Sequence, residues 1–144
     1  MKNFLIFILS IFFISGCATT ASLDRTRINA PERLKGDVLN YSFDEVYKAS
    51  KMAILNLGLA LDSEGKKDKV TVLYAKSTAD LMKVLAFGDA HGEMMGIYIT
   101  PISEKQTKVD VAIQKQYLLD LGYKDYRGLV INQIKTILDL QNKK

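Results

Sequence analysis

From Thr107 to Gln114 the side chains alternate without a slip: Thr107, Val109, Val111 and Ile113 point one way, Lys108, Asp110 and Gln114 the other. Strand side chains repeat every two residues, so the pattern describes a strand with one buried and one wet face, as antiparallel sheets allow. Such a strand needs neighbours for its backbone and a cover for its apolar side. Met94 to Thr100 supplies one neighbour, joined to Thr107 to Gln116 as a hairpin around Ser103-Glu104-Lys105. Val70 to Lys76 reads as another strand, with Val70, Val72 and Tyr74 on one face and Thr71, Leu73 and Ala75 on the other. Leu59 to Ser63 alternates as its partner, and Glu64 to Lys69, with Gly65, reads as the polar loop of that hairpin. Lys66, Lys67 and Lys69 in this loop suit lipid headgroups or acidic glycans, but a solvated turn that guards an edge is the simpler reading. Asp37 to Tyr41 reads as a short entry strand.

Two helices supply the cover. Ser42 and Glu45 form a capping-box pattern, and Tyr41 with Val46 is spaced for a hydrophobic staple. Phe43, Val46, Tyr47, Ser50, Ala53, Ile54 and Leu57 then fall on one helical face, leaving Asp44, Lys48 and Lys51 outward. Gly58 stands where a helix takes its left-handed closing residue. A second amphipathic helix spans about Asp125 to Leu140, with Tyr126, Leu129, Val130, Ile134, Ile137 and Leu138 inward. Lys143 and Lys144 at its end suit the negative pole of the helix dipole. Ser77 to Gly88 fits either a short helix or an irregular strand. The expected fold class is therefore α+β: an antiparallel sheet of three to four strands with an N-terminal and a C-terminal helix packed on one face.

Ahead of this domain, Lys2 precedes an apolar run from Phe4 to Ile14, broken only by Ser10. The run is about half of the ~20 residues a spanning helix requires, and a short apolar run behind a basic residue reads as a secretory signal. Ser15 and Gly16 leave the backbone accessible to a peptidase just before Cys17. Ile14-Ser15-Gly16-Cys17 resembles the lipobox of bacterial lipoproteins. That resemblance implies removal of residues 1–16 by cleavage between Gly16 and Cys17, a diacylglycerol on the Cys17 sulfur and acylation, for example with palmitate, of its new amino group. Ala18, rather than an aspartate, follows the cysteine; in a two-membrane host the resemblance then implies the periplasmic face of the outer membrane. Residues 18–33 are rich in Ala, Thr, Ser and charge, contain Pro31, and read with Cys17 as a flexible tether before a single domain at 34–144. The helix-on-sheet pattern over Asp37 to Leu140 is similar to small domains of other envelope lipoproteins, including the helix-grip domains of the BamC type.

Without residues 1–16 the chain keeps 128 residues, enough for one core, with 19 basic and 16 acidic side chains. A mixed surface of formal charge +3 suits anionic headgroups but lacks the concentrated basic stripe of a nucleic-acid binder. Cys17 is the one cysteine, so an intrachain disulfide is excluded and stability must come from apolar packing.

The chemistry-bearing residues are sparse. Asp89, His91 and Glu93 alternate in a glycine-flanked turn, and carboxylates with imidazole suit zinc or similar ions. Alternate residues meet one ion only on extended or specially bent backbone, and a polar turn explains them without metal. The chain has no Gly-x-Ser-x-Gly elbow, P-loop or dinucleotide glycine fingerprint. Phe87, Met94, Met95 and Tyr98 read as core, with an adaptable docking patch as the alternative. The expectation is a membrane-anchored lipoprotein with a non-catalytic binding or assembly domain, no cofactor, and envelope proteins as partners through an open sheet face or by strand addition. The alternative is a periplasmic small-ligand or metal-binding lipoprotein that uses the Asp89–Glu93 turn.

Overall fold

A computed structural model describes residues 20–77, 94–114 and 126–143. In chain order they form helix α1 (Thr20–Asn29), a 3-10 turn (Pro31–Arg33), strand β1 (Lys35–Leu39), helix α2 (Phe43–Asn56), strands β2 (Leu59–Lys67), β3 (Val70–Ser77), β4 (Met94–Ser103) and β5 (Gln106–Gln114), and helix α3 (Tyr126–Gln141). The class is α+β with one antiparallel sheet. It has five strands rather than three or four, in the order β1-β5-β4-β3-β2. β2 to β5 form a meander, and α2 carries the chain from β1 at one edge to β2 at the other.

α2 begins where its capping box predicts: the Glu45 carboxylate accepts from the Ser42 backbone N–H at 2.9 Å and from its hydroxyl at 2.6 Å. These contacts also hold the Glu45 carboxyl below its ordinary range. The helix closes at Gly58, whose φ of 70° is the left-handed conformation that glycine adopts without a Cβ penalty. Val46, Ala49, Ser50, Ala53 and Ile54 are buried. The buried Ser50 hydroxyl donates to the Val46 carbonyl at 2.7 Å, so it enters the core satisfied. From α3 come Val130, Ile131, Ile134, Ile137 and Leu138, all buried, while Leu129, expected inward, is exposed.

Both helices lie on one face of the sheet, against Leu73, Ala75, Met95, Ile97, Ile99, Val109 and Val111. The alternation read from β3 and β5 holds. The loop read at Glu64 to Lys69 does not: β2 continues to Lys67 and only Asp68 and Lys69 turn the chain. Asp68 sits at φ 56°, which an aspartate tolerates better than most side chains. Charge along Glu64 to Lys67 thus marks an exposed edge strand, not a loop.

The segment read as a flexible tether also differs. Residues 20–29 are helical, and Leu23 is fully buried against the sheet face opposite α2 and α3. Residues 18–30 contain no glycine or proline, and Pro31 ends the helix because the residue before a proline avoids helical backbone. The amphipathic signal fails here because Leu23 is the one side chain that α1 buries.

Candidate functional site: a phenol-lined face under α1

The outer sheet face, under α1, has its own small cluster of Leu23, Val72, Tyr74, Met94, Tyr98 and Ala112. The register explains how an aromatic ring fits here. Tyr74, Gly96 and Ala112 lie side by side on β3, β4 and β5. The Tyr98 ring leans over Gly96, whose absent Cβ would stand 3.0 Å from the ring edge and from the hydroxyl. Glycine and alanine together make the trough in which Tyr98 lies, 1% exposed.

α1 meets this trough mostly with polar groups. The two phenols donate to one oxygen of Asp24, Tyr74 at 3.0 Å and Tyr98 at 3.2 Å. The Arg27 guanidinium lies over the Tyr98 ring, 5.1 Å from its centroid, a cation–π geometry. Ser22 donates to the Gln114 side chain, pinning the start of α1 to the end of β5. Leu23, Asp24 and Arg27 share one helical face at spacings i, i+1 and i+4. Burying Leu23 contributes about 1.5–3 kcal/mol, and a hydrogen bond to a charged acceptor adds about 1.5–3 kcal/mol before ordering costs. A ten-residue helix is not stable alone in water, so these contacts decide whether α1 exists.

Burial first, then the neighbouring Asp24 carboxylate, pushes Tyr74 up to about 12 and Tyr98 higher still. Both phenols therefore stay protonated donors at every physiological pH. Beside them opens a cleft of about 140 Å³, with Lys66 and Lys67 on its rim and Val70 and Val72 in its wall. Chemically, it offers an aromatic floor, two donors already held by one carboxylate, and cations at the mouth. That inventory suits recognition of a side chain or small anionic group.

The sequence-predicted residues fall elsewhere. Gly16, Cys17, Phe87, Asp89, His91 and Glu93 lie outside the described residues. Among the described residues no three His, Cys, Asp or Glu side chains cluster as metal ligands, and no helix is long and apolar enough to cross a membrane. Met94, Met95 and Tyr98 are all buried, but on different faces: Met95 under α2 and α3, Met94 and Tyr98 under α1. Asp24 and Arg27 were missed because their segment read as tether. The one usable signal was Gly96 two residues before Tyr98, a small residue on the same face of the strand. The sequence matches no protein-family model and, at a significant level, no curated protein.

Proposed function

We propose that this chain is a bacterial lipoprotein whose signal, residues 1–16, is removed and whose Cys17 carries the lipid, holding a non-catalytic binding or assembly domain at the cell envelope. The observation that carries the reading is Ile14-Ser15-Gly16-Cys17 at the end of a short apolar run, with Cys17 the chain's one cysteine. Two or three acyl chains on that residue anchor stably, because each buried CH₂ adds about 0.8 kcal/mol and one chain alone binds marginally. In a host with two membranes the domain sits at the periplasmic face of the outer one.

The contact surface for an envelope protein is the cleft beside α1, with Lys66 and Lys67 on its rim, rather than a sheet edge. β2 has a bulge between Leu61 and Ser63. It carries ion pairs of Asp62 with Lys76 and of Glu64 with Lys51, the latter at 2.6 Å. Lys51, then the Tyr47 hydroxyl, keeps the Glu64 carboxyl below its ordinary range. β1, the other edge, is five residues long and ties Asp37 to Lys135 of α3. Bulges, charges and short length are the devices that stop edge pairing, so strand addition is the less favoured route.

The test is Cys17→Ser in the host. The expected product is an unprocessed precursor, heavier by residues 1–16 and without fatty acid by mass spectrometry. A Cys17→Ser protein that matured and stayed in the membrane fraction would refute the anchor.

A further inference from the structure

We propose that α1 is a rigid post rather than a slack tether, and that it stands the domain on the bilayer on one defined rim of the sheet. This rests on the lipid anchor at Cys17. The rim is the one where β3 ends, β4 begins and β5 ends. Lys76, Met94 and Gln114 are hydrogen-bonded neighbours across it, and β2 enters it at Leu59 and Ala60. α1 starts there, held by Ser22 on Gln114, and runs toward the opposite rim, where Arg27 and Ile28 line one cleft with Lys67 and Val70.

Chain length then fixes which rim meets lipid. Thr20, the first residue of α1, is three residues after Cys17. Three residues reach at most about 11 Å, roughly the depth of a headgroup layer plus one water shell. While Leu23, Asp24 and Arg27 hold α1 on the sheet, the start of α1 cannot leave the bilayer surface, and the rim beside it cannot either. The far rim, with the Glu104-Lys105 turn, is the length of β4 away. Ten residues of strand span about 33 Å. The cleft with Lys66 and Lys67 on its rim lies toward that far end, turned to the aqueous side where an envelope protein can reach it. A tether of the 16 residues between Cys17 and Leu34 would instead wander over about 22 Å and leave the domain unoriented.

The experiment is energy transfer from single labels on the full lipidated protein in phosphatidylethanolamine–phosphatidylglycerol vesicles that carry an acceptor lipid. With the Cys17 sulfur in a thioether, an introduced cysteine is the one free thiol. Ala60→Cys marks the near rim and Lys105→Cys the far turn, both exposed positions. The expected result is a label at Ala60→Cys closer to the acceptor plane than one at Lys105→Cys by at least about 10 Å, the post allowing tilt but not inversion. Equal distances, or Lys105→Cys closer, overturn the proposal. Leu23→Asp in both labelled proteins releases α1, and the difference should then collapse; a difference that persists overturns the role of α1 as the post. Mass spectrometry of the same samples separates the two claims: a Cys17 without fatty acid refutes the anchor, whereas a lipidated protein with no rim preference refutes the orientation alone.

Discussion

On the inner face of the sheet, α2 and α3 seal a continuous layer of branched aliphatics with side chains such as Ile54, Ile97, Val109 and Ile134 wholly out of solvent. On the outer face, α1 buries one leucine and meets the sheet otherwise through a carboxylate, two phenols and a guanidinium. The inner contact depends on area and shape, so its parts fail together. The outer contact depends on a few directional groups around one apolar anchor, so it can be lost without the rest. A domain built this way should keep its fold when α1 is released from the outer face.

The sharpest way to break this contrast is to make the same kind of deletion on each side. Ile97→Ala should destabilise the domain by about 2–5 kcal/mol, the lost transfer energy plus a cavity that two helices and the two neighbouring strands, β3 and β5, cannot close. Leu23→Ala should cost about 1–2 kcal/mol, because α1 can leave the sheet and no cavity survives. Urea unfolding of the two variants measures both. Hydrogen exchange adds the pattern, with α1 amides unprotected in Leu23→Ala while β4 and β5 keep their protection. If Leu23→Ala costs as much as Ile97→Ala and all amides exchange together, the two faces are one cooperative unit.

A second substitution sharpens the outer face alone. In Gly96→Ala the new methyl meets the Tyr98 ring edge and hydroxyl at 3.0–3.1 Å, tighter than ordinary contact. Tyr98 cannot retreat, because Asp24 and Arg27 of α1 lie against its hydroxyl and its ring. The ring must push α1 away, at about 1–3 kcal/mol for overpacking. Urea unfolding gives the cost, and loss of α1 protection with an intact sheet gives the location. Gly36→Ala is a useful contrast: its methyl would strike the Asp110 carboxylate, the movable end of a side chain, and stand 3.3 Å from the Val109 carbonyl, which must give by only a few tenths of an ångström. It should cost less and leave α1 protected.

The same division explains what could be read in advance. Periodicity reports burial by area, so the inner face was legible: the capped α2 with its closing Gly58, the alternation of β3 and β5, and the aliphatic stripe of α3. Ala49 and Ile131 were added by packing, and Leu129 was lost to it, as small rotations of a helix about its axis require. α1 was illegible because a helix anchored by Leu23 alone has no period to find, and its polar partners Tyr74 and Tyr98 lie 50 and 74 residues away from Asp24. The far end of β2 was misread for a related reason. Lys66 and Lys67 are polar because an edge strand is solvated, and polarity in sequence does not separate an edge from a loop.

The phenols give the smallest and most local test. Burial raises both, so the folded state holds the neutral form more tightly than the unfolded chain, whose tyrosines titrate near 10. Stability from this pair is complete below pH 10 and falls as the pH climbs through about 12, where Tyr74 ionises. Phenolate absorbance should show Tyr74 and Tyr98 lagging furthest, behind Tyr41, which its hydrogen bond to Asp139 also raises, and assigned by their disappearance in Tyr74→Phe and Tyr98→Phe. Asp24→Asn separates the causes. Removing the carboxylate takes away its hydrogen bond and its charge and should bring the Tyr74 midpoint down while leaving it above 10, since burial, the largest single cause, remains. If Asp24→Asn instead returns both phenols to the ordinary range, α1 has left the sheet altogether and the carboxylate, not Leu23, is the group that holds it.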